Sequence, residues 1–352
     1  MTPHRLESLL SRFAGLSIMV VGDFFLDKYL VLDPALDEPS LETGLAARQV
    51  VARRCMPGAA GTVMANLHAL GVGHLLAVGV TGDDGEGYEL RQGLAAMGVR
   101  LDGLFESPDR FTPTYIKPMN REPGRERESN RIDIQNRTPT PRDLEERLVE
   151  FLEDMAPRVD GVAVLDQVGR RNTGVVTDRV REAIGNLGRT LPDKVILADS
   201  RERIGDFRHV IRKGNRDEVR GAAGNADEDQ KETADLAAVE RWGRGLFDTS
   251  AGGGEGTARP VYITLGAEGL LLIDGEDSRH VPGIRVPGLV DTVGAGDSVT
   301  AGIVASLAAG ATPMEAGLVG NLAASVTIRQ LGGTGTASPA QLVEALKTLM
   351  EA

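Results

Sequence analysis

The stretch DTVGAGDSVTAGIVASLAAG, residues 291–310, packs two acidic residues, a run of small residues and an apolar helix pattern into twenty positions. After Asp297, the residues Val299, Ile303, Val304 and Leu307 recur at helical spacing, and Gly310 supplies a stop. Gly294, Ala295 and Gly296 therefore form a small-residue turn that runs into a helix N-terminus. Such a turn presents unobstructed backbone N–H groups backed by the positive end of the helix dipole. It can hold a phosphoryl group while negative charge redistributes during transfer. Asp297 stands at the helix start, where a carboxylate can take a proton from an attacking alcohol. The competing reading of the same residues is an aspartate N-cap behind a tight glycine turn.

Working outward, short β-branched runs alternate with glycine turns and amphipathic helices. Strands are expected at 17–21 (SIMVV), 75–80, 161–165, 195–198, 261–265 and 270–273. Helices are expected at 61–70, 86–97, 142–155, about 173–187 and 234–247, with three more starting near Ser298, Pro313 and Pro339. Strands alternating with helices imply an α/β fold: a mostly parallel central sheet covered by helices on both faces. Two segments break the rhythm. Residues 28–55 and 111–135 hold strand-like pieces (YLVL, RQVVARR, TYIK, RIDI) without a convincing helix. They are read as a small accessory β-sheet, a lid on a core made of 1–27, 56–110 and 136–352; the simpler alternative is two unrelated surface loops. The stretches 221–231 and 251–257 are polar or glycine-rich and are read as mobile surface loops without chemistry.

Composition narrows the function. Across 352 residues, Asp plus Glu outnumber Lys plus Arg by 51 to 39, a net charge of −12, and aromatics make up 4%. A nucleic-acid footprint or a polybasic membrane anchor needs the opposite sign, and base stacking needs more aromatic rings. A single cysteine, Cys55, excludes an intrachain disulfide and every Cys-cluster metal site, and the five histidines show no HExxH spacing. The N-terminus lacks a basic-then-apolar leader pattern, and no apolar run reaches the ~18 residues needed to span a bilayer. The expected location is the cytoplasm. There is no GxxxxGK[ST] loop, the Val20-Val21-Gly22-Asp23 turn does not continue as GxGxxG, and no GxSxG elbow occurs.

DTVGAGDSVTAG resembles the C-terminal signature DTxGAGD of the ribokinase-like (PfkB-type) carbohydrate kinases. Other segments match in the same order: residues 20–29 (VVGDFFLDKY) resemble the first strand and substrate turn, 57–71 (PGAAGTVMANLHALG) the glycine-rich substrate turn and first helix, and 79–84 (GVTGDD) the next strand end. Residues 215–218 (NRDE) match N-x-x-E and 264–269 (TLGAEG) match T-x-G-x-x-G. The resemblance covers about residues 14 to 350 and is weakest between 219 and 260. Within the family, the GDxxLD start, Arg131-Ile132-Asp133 and the overall length look most like the kinase domain acting on heptose phosphates.

The resemblance implies transfer of the γ-phosphoryl group of ATP to a hydroxyl of a sugar or sugar phosphate. Asp297 becomes the general base, with Gly294, Ala295 and Gly296 as the anion hole. Asp23 and Asp27 resemble the substrate carboxylates, which suits paired hydrogen bonds from vicinal hydroxyls; Gly58, Ala59 and Thr62 fall in the substrate turn. Asn215 and Glu218 match the motif that positions Mg2+ and the triphosphate, where oxygen ligands suit a hard cation that keeps waters; a helix-start capping box reads the same letters. Thr264, Gly266 and Gly269 match the nucleotide-side turn, and Asn321 a position near the adenine. Asp291 and the carbonyls near Val293 resemble the loop that holds K+ in some members.

The chain departs from the family pattern in places. Ala59 follows Gly58 where paired glycines are usual, and Thr62 stands where asparagine is common. After the middle strand the chain reads Asp166-Gln167-Val168-Gly169-Arg170-Arg171, where heptose-type relatives carry Asp-Tyr and a lysine. Arg121, Arg125, Arg127 and Arg131 could grip a substrate phosphate in the lid, or form a solvated charge run with neighbouring glutamates. Two other functions remain open at this point: a nucleoside kinase on the same scaffold, and a catalytically silent sugar-binding relative. The expected partner is a small molecule, with neither nucleic acid nor membrane, and the expected assembly is a homodimer paired through the lid sheet.

Overall fold

The computed structural model describes residues 1–122, 124–224, 235–250 and 258–351. The strand Ser17–Gly22 lies inside a sheet that has nine strands among the described residues. From one edge the order is Asp277–Pro282, Gly269–Asp274, Val261–Thr264, Ile211–Asn215, Val195–Ser200, Gly161–Asp166, Ser17–Gly22, His74–Gly82 and Arg100–Ser107. All neighbours are parallel except the edge formed by the first three, which pair antiparallel. The expectation of a mostly parallel sheet under two helical layers is met.

SIMVV reads as an unbroken apolar run because both of its faces are buried. Ile18 and Val20 join one core with Val63, Met64, Ile303 and Leu322, while Met19 and Val21 join the opposite core with Leu148, Leu152, Val180 and Ile184. Successive side chains point to opposite faces of a strand, so a strand covered on both sides has no polar position to spare. Truncating any one of these leucines to alanine is expected to cost about 2–5 kcal/mol.

Helices occur at Ala60–Ala69, Gly85–Ala96, Arg142–Met155, Leu236–Ser250, Ala295–Ala308, Pro313–Thr327 and Pro339–Glu351, each within a few residues of its expected place. The helix expected from about 173 begins only at Asp178, capped by the Thr177 side chain. Residues before it form a loop that turns through Asn172 at φ 61°. Three strands and two helices were not expected: Arg100–Ser107, Ile211–Asn215 and Asp277–Pro282, and Pro3–Leu10 and Arg216–Ala222. Ile211–Asn215 escapes an apolar-run reading because it buries two cations. The Arg212 guanidinium donates to the carbonyls of Leu246 and Phe207, and Lys213 pairs with Asp199.

A second sheet runs Ile132–Ile134, Thr114–Glu122, Phe24–Leu32, Val50–Ala59, with Arg125–Glu128 also paired to Thr114–Glu122. These are the two segments read as a lid, but the strands reach further than 28–55. Phe24 follows the core strand after one intervening residue, and the partner strand runs on to Ala59. The early start depends on Gly22, at φ 144°, where a Cβ would sit 2.1 Å from the Leu165 carbonyl oxygen. Only glycine lets the chain leave the core strand there without a helix. As a result Asp27 belongs to a lid strand and not to the core. Of the stretches read as loops, 225–231 and 251–257 lie outside the described residues, while Gly221 and Ala222 end the helix Arg216–Ala222.

Candidate active site

The parallel strands end at Gly22, Asp166, Ser200, Asn215 and Thr264, and most of the candidate residues lie at that edge or on the second sheet beside it. In parallel α/β sheets this edge is where ligands bind. A cavity of about 310 Å³ opens there, lined among others by Asp23, Phe25, Arg110, Tyr115, Arg170 and Arg201.

Helix Ala295–Ala308 starts from Gly294, which takes φ 78° as its N-cap. Ala295 and Gly296 are thus already helical, and Asp297 is the third residue of the first turn, not the cap. The Ala295 amide donates to the Thr292 carbonyl at 3.2 Å, and the first helical bond is Ser298 to Gly294. The amides of Gly296 and Asp297 are left facing outward along the helix axis, as first-turn amides are. The methyl of Thr62, from the neighbouring helix, would lie 3.3 Å from a Cβ at Gly294, so the 58–62 stretch approaches the start of this helix.

Around Asp297 four charged groups converge from three other elements. Its carboxyl is pushed up to about 7 by burial and then by Asp199, with Asp27 adding to the rise; Lys213 and Arg201 pull it down. Lys213 is 5% exposed and donates to Asp199 Oδ2 at 2.7 Å. Thr300, one turn beyond Asp297, donates to the same oxygen at 3.0 Å. A Cβ at Gly296 would come within 3.1 Å of Lys213 Nζ, which places a buried ammonium against the first helical turn. Neither Lys213 nor Asp199 was singled out in the sequence.

Asp27 and Asp23 behave differently. Asp27, 7% exposed, faces the same region: Lys117 Nζ sits 2.9 Å from its Oδ1, and a Cβ at Gly58 would fall 2.5 Å from its Oδ2. Asp23 accepts backbone amides from Gln167 (2.9 Å), Val168 (3.1 Å) and Val175 (2.7 Å), tying the first strand to the 167–175 loop, of which only the end from about 173 was expected to be helical. Burial and the nearby Asp166 push its carboxyl up to about 6. Ala59 takes φ 53° and ψ −116°, a conformation favoured by glycine.

Asn215 and Glu218 form a reciprocal capping box on helix Arg216–Ala222, at 3.0 and 2.6 Å. The other Glu218 oxygen has no hydrogen bond among the described residues, and burial together with Asp199 pushes this carboxyl up to about 7. A crowded carboxylate of this kind is where a cation relieves repulsion. Thr264 pairs in register with Asn215. Gly266 and Gly269 flank the following turn at φ 63° and 100°, and a Cβ at Gly269 would meet the Val281 carbonyl at 2.2 Å. Asn321 is held apart from these: its amide donates to the carbonyls of Val281 and Pro282, both at 3.1 Å. Asp291 accepts amides from Val293 and Gly332, one on each oxygen.

The lid arginines are engaged with carboxylates. Arg125 and Arg127 both bond Glu122, Arg131 bonds Asp133 while lying 4.2 Å over the Tyr115 ring, and Arg121 approaches Asp33 at 4.0 Å. Arg170 lines the cavity, whereas Arg171 pairs with Asp178 and Asp206. Among the described residues no three His, Cys, Asp or Glu side chains group into a metal cage, and no helix is long and apolar enough to cross a membrane.

A family model described as pfkB family carbohydrate kinase matches residues 29–341. The bifunctional protein HldE of Geotalea uraniireducens is 30% identical over 349 residues, covering 97% of this chain and 65% of that protein. HldE of Hyphomonas neptunium is 28% identical over 350 residues, covering 97% and 66%. The chain therefore spans about two thirds of the length of these relatives. Among solved structures, Arabidopsis thaliana ribokinase complexed with ribose and ATP superimposes with a TM-score of 0.65 at 17% identity, covering 94% of this chain and 99% of that one. Escherichia coli phosphofructokinase-2 in complex with substrates and products gives 0.68 at 18% identity, covering 95% and 100%. These two likenesses concern the fold.

Proposed function

The chain belongs to the pfkB family of carbohydrate kinases, and from that premise we propose that it transfers the γ-phosphoryl group of ATP to a hydroxyl of a sugar or sugar phosphate. One observation carries the reading: Asp297, on a helix whose first-turn amides of Gly296 and Asp297 stay open, shares one electrostatic environment with the lid carboxylate Asp27.

In this reading Asp27 accepts a hydrogen bond from the acceptor sugar and turns a hydroxyl toward Asp297, which takes its proton. Gly58 and Thr62 shape the wall beside it, and Ala59 takes the place of a family glycine. Charge arriving on the transferring group meets the helix N-terminus, with the Lys213 ammonium behind it; fixed donors in a water-poor site stabilise such charge strongly. The lid keeps bulk water from competing as acceptor. Asp23 serves by holding the 167–175 loop against the first strand.

Mg2+, when bound, would neutralise phosphate charge. The residues present fit it: Glu218 and Asn215 offer oxygen donors without a closed cage, as a cation that keeps its waters prefers. Thr264, Gly266 and Gly269 would border the nucleotide. For K+, Asp291 keeps one lone-pair position on each oxygen, and no step is assigned to it. An ATP-dependent reaction accords with a cytoplasmic location. Exposed apolar side chains on the lid sheet, Val50, Val51 and Ile132, support pairing of two copies through that sheet.

The test is ADP release by the purified chain with ATP, Mg2+ and a panel of five- to seven-carbon sugars, free and phosphorylated, with nucleosides included. Acceptor-dependent ADP release with a sugar or sugar phosphate is expected. Release with nucleosides alone, or saturable sugar binding without turnover, would replace the reading.

A further inference from the structure

Asp27 is not held by the core. Its two oxygens are located by the two lid strands that flank its own. Lys117, on the parallel neighbour, has Nζ 2.9 Å from Oδ1, and both side chains are nearly buried, at 12% and 10% exposure. Gly58, on the antiparallel neighbour, leaves room for Oδ2, which a Cβ would approach to 2.5 Å. Lys117 is itself fixed. It donates to the Tyr29 hydroxyl at 3.1 Å and lies 4.7 Å from the centre of that ring. The strand register sets Tyr29 opposite Lys117 and Asp27 opposite Tyr115, so Asp27, Tyr29 and Lys117 share one face of the lid sheet.

We propose that Lys117 is a positioning residue for the acceptor sugar, acting through Asp27. By occupying Oδ1 it leaves Asp27 a single hydrogen-bonding edge, so the carboxylate can orient one hydroxyl in one way. A carboxylate whose partner is removed gains rotamers and must share its interactions with water. The lost orientation then appears in acceptor binding and in the rate at which bound acceptor reacts. An ammonium held by a carboxylate, a phenol oxygen and an aromatic face at short range has little freedom of its own, which is what a positioning group needs. The inference rests on the kinase reading, since it needs Asp27 to meet the acceptor.

The experiment measures steady-state kinetics with ATP and the panel acceptor of highest kcat/KM, for Lys117→Met, Lys117→Arg, Asp27→Asn and the double variant Asp27→Asn/Lys117→Met. The expected result for Lys117→Met is an acceptor KM about tenfold higher, with the KM for ATP within twofold and the ATP-bound protein, lower-melting because Asp27 loses its cation, still folded at the assay temperature. Lys117→Arg should recover most of the loss, because arginine also pairs with a carboxylate. In the Asp27→Asn background, Lys117→Met should change acceptor KM by no more than twofold, because its route of action is already gone. Additive losses in the double variant, or an unchanged acceptor KM in Lys117→Met, would overturn the inference while leaving the kinase reading intact. Absence of acceptor-dependent ADP release in the wild-type chain would overturn both.

Discussion

Lys213 holds Asp199 at 2.7 Å directly beside the first turn of the helix that carries Asp297, and the pair is almost wholly buried. A buried ion pair contributes little net stability, because desolvating both groups offsets most of their attraction. Its value here lies in where it puts charge: a fixed ammonium against Gly296, two positions from the start of an N-terminal turn that already favours anions.

Lys213→Met should therefore damage the protein twice. It leaves Asp199 a buried carboxylate without its cation, which costs about 3–5 kcal/mol, and it removes a positive charge from beside the proposed phosphoryl site, which should lower kcat about a hundredfold or more. Urea denaturation and ADP-release kinetics separate the two losses. Asp199→Asn in the same chain should recover much of the stability and none of the rate. Equal stability of Lys213→Met and wild type would contradict the pair's assigned role.

Ala59 supplies a test of backbone strain. At φ 53° and ψ −116° its methyl is crowded by its own backbone, at a cost of order 1–3 kcal/mol. Glycine escapes that cost but loses more entropy on folding, by roughly 0.5–1 kcal/mol. Ala59→Gly should be more stable by about 1 kcal/mol, read as a higher denaturation midpoint at unchanged slope. A lower midpoint would show that the methyl's packing outweighs the strain.

The pH dependence follows from Asp297. Its carboxyl is held at about 7 by burial and Asp199, with Asp27 in the same sense and Lys213 and Arg201 opposing. A base works only when ionised, so kcat/KM should rise from pH 5.5 to 8 with an apparent midpoint near 7. Stability should move the other way. Because the folded value lies above the unfolded one, the group's contribution is complete below about pH 4 and is lost as pH rises through 7. Asn at this position does not ionise, so Asp297→Asn should exceed wild type in stability at pH 8, by on the order of 2 kcal/mol for this partly shielded side chain, and not at pH 4. Thermal melts at the two pH values check the sign.

What could be read in advance divides along physical lines. SIMVV declared a strand buried on both faces, and Gly294 before an apolar helix pattern declared a helix start, because both signals are local. Lys213 gave no such signal: it stands in a strand whose alternation is masked by Arg212 and itself, two cations whose burial depends on Asp199 and on the carbonyls of Phe207 and Leu246 far away in sequence. Lys117 lay in a recognised strand piece, TYIK, yet only the register with Phe24–Leu32 puts it on the same face as Asp27. Of the two readings of the N-x-x-E letters, the structure shows the capping box: Asn215 and Glu218 cap their helix reciprocally. Asn321 fastens its helix to the edge strand through its amide, a contact that no local pattern announced.

The account turns on proton removal by Asp297, and the most direct measurement is the turnover of Asp297→Asn with ATP, Mg2+ and the best panel acceptor at pH 8, beside its affinity for ATP. Loss of the base should lower kcat by about 10²–10⁴-fold, with ATP binding within threefold of wild type and a folded, slightly more stable protein. Turnover within tenfold of wild type in a variant that still binds nucleotide would contradict it.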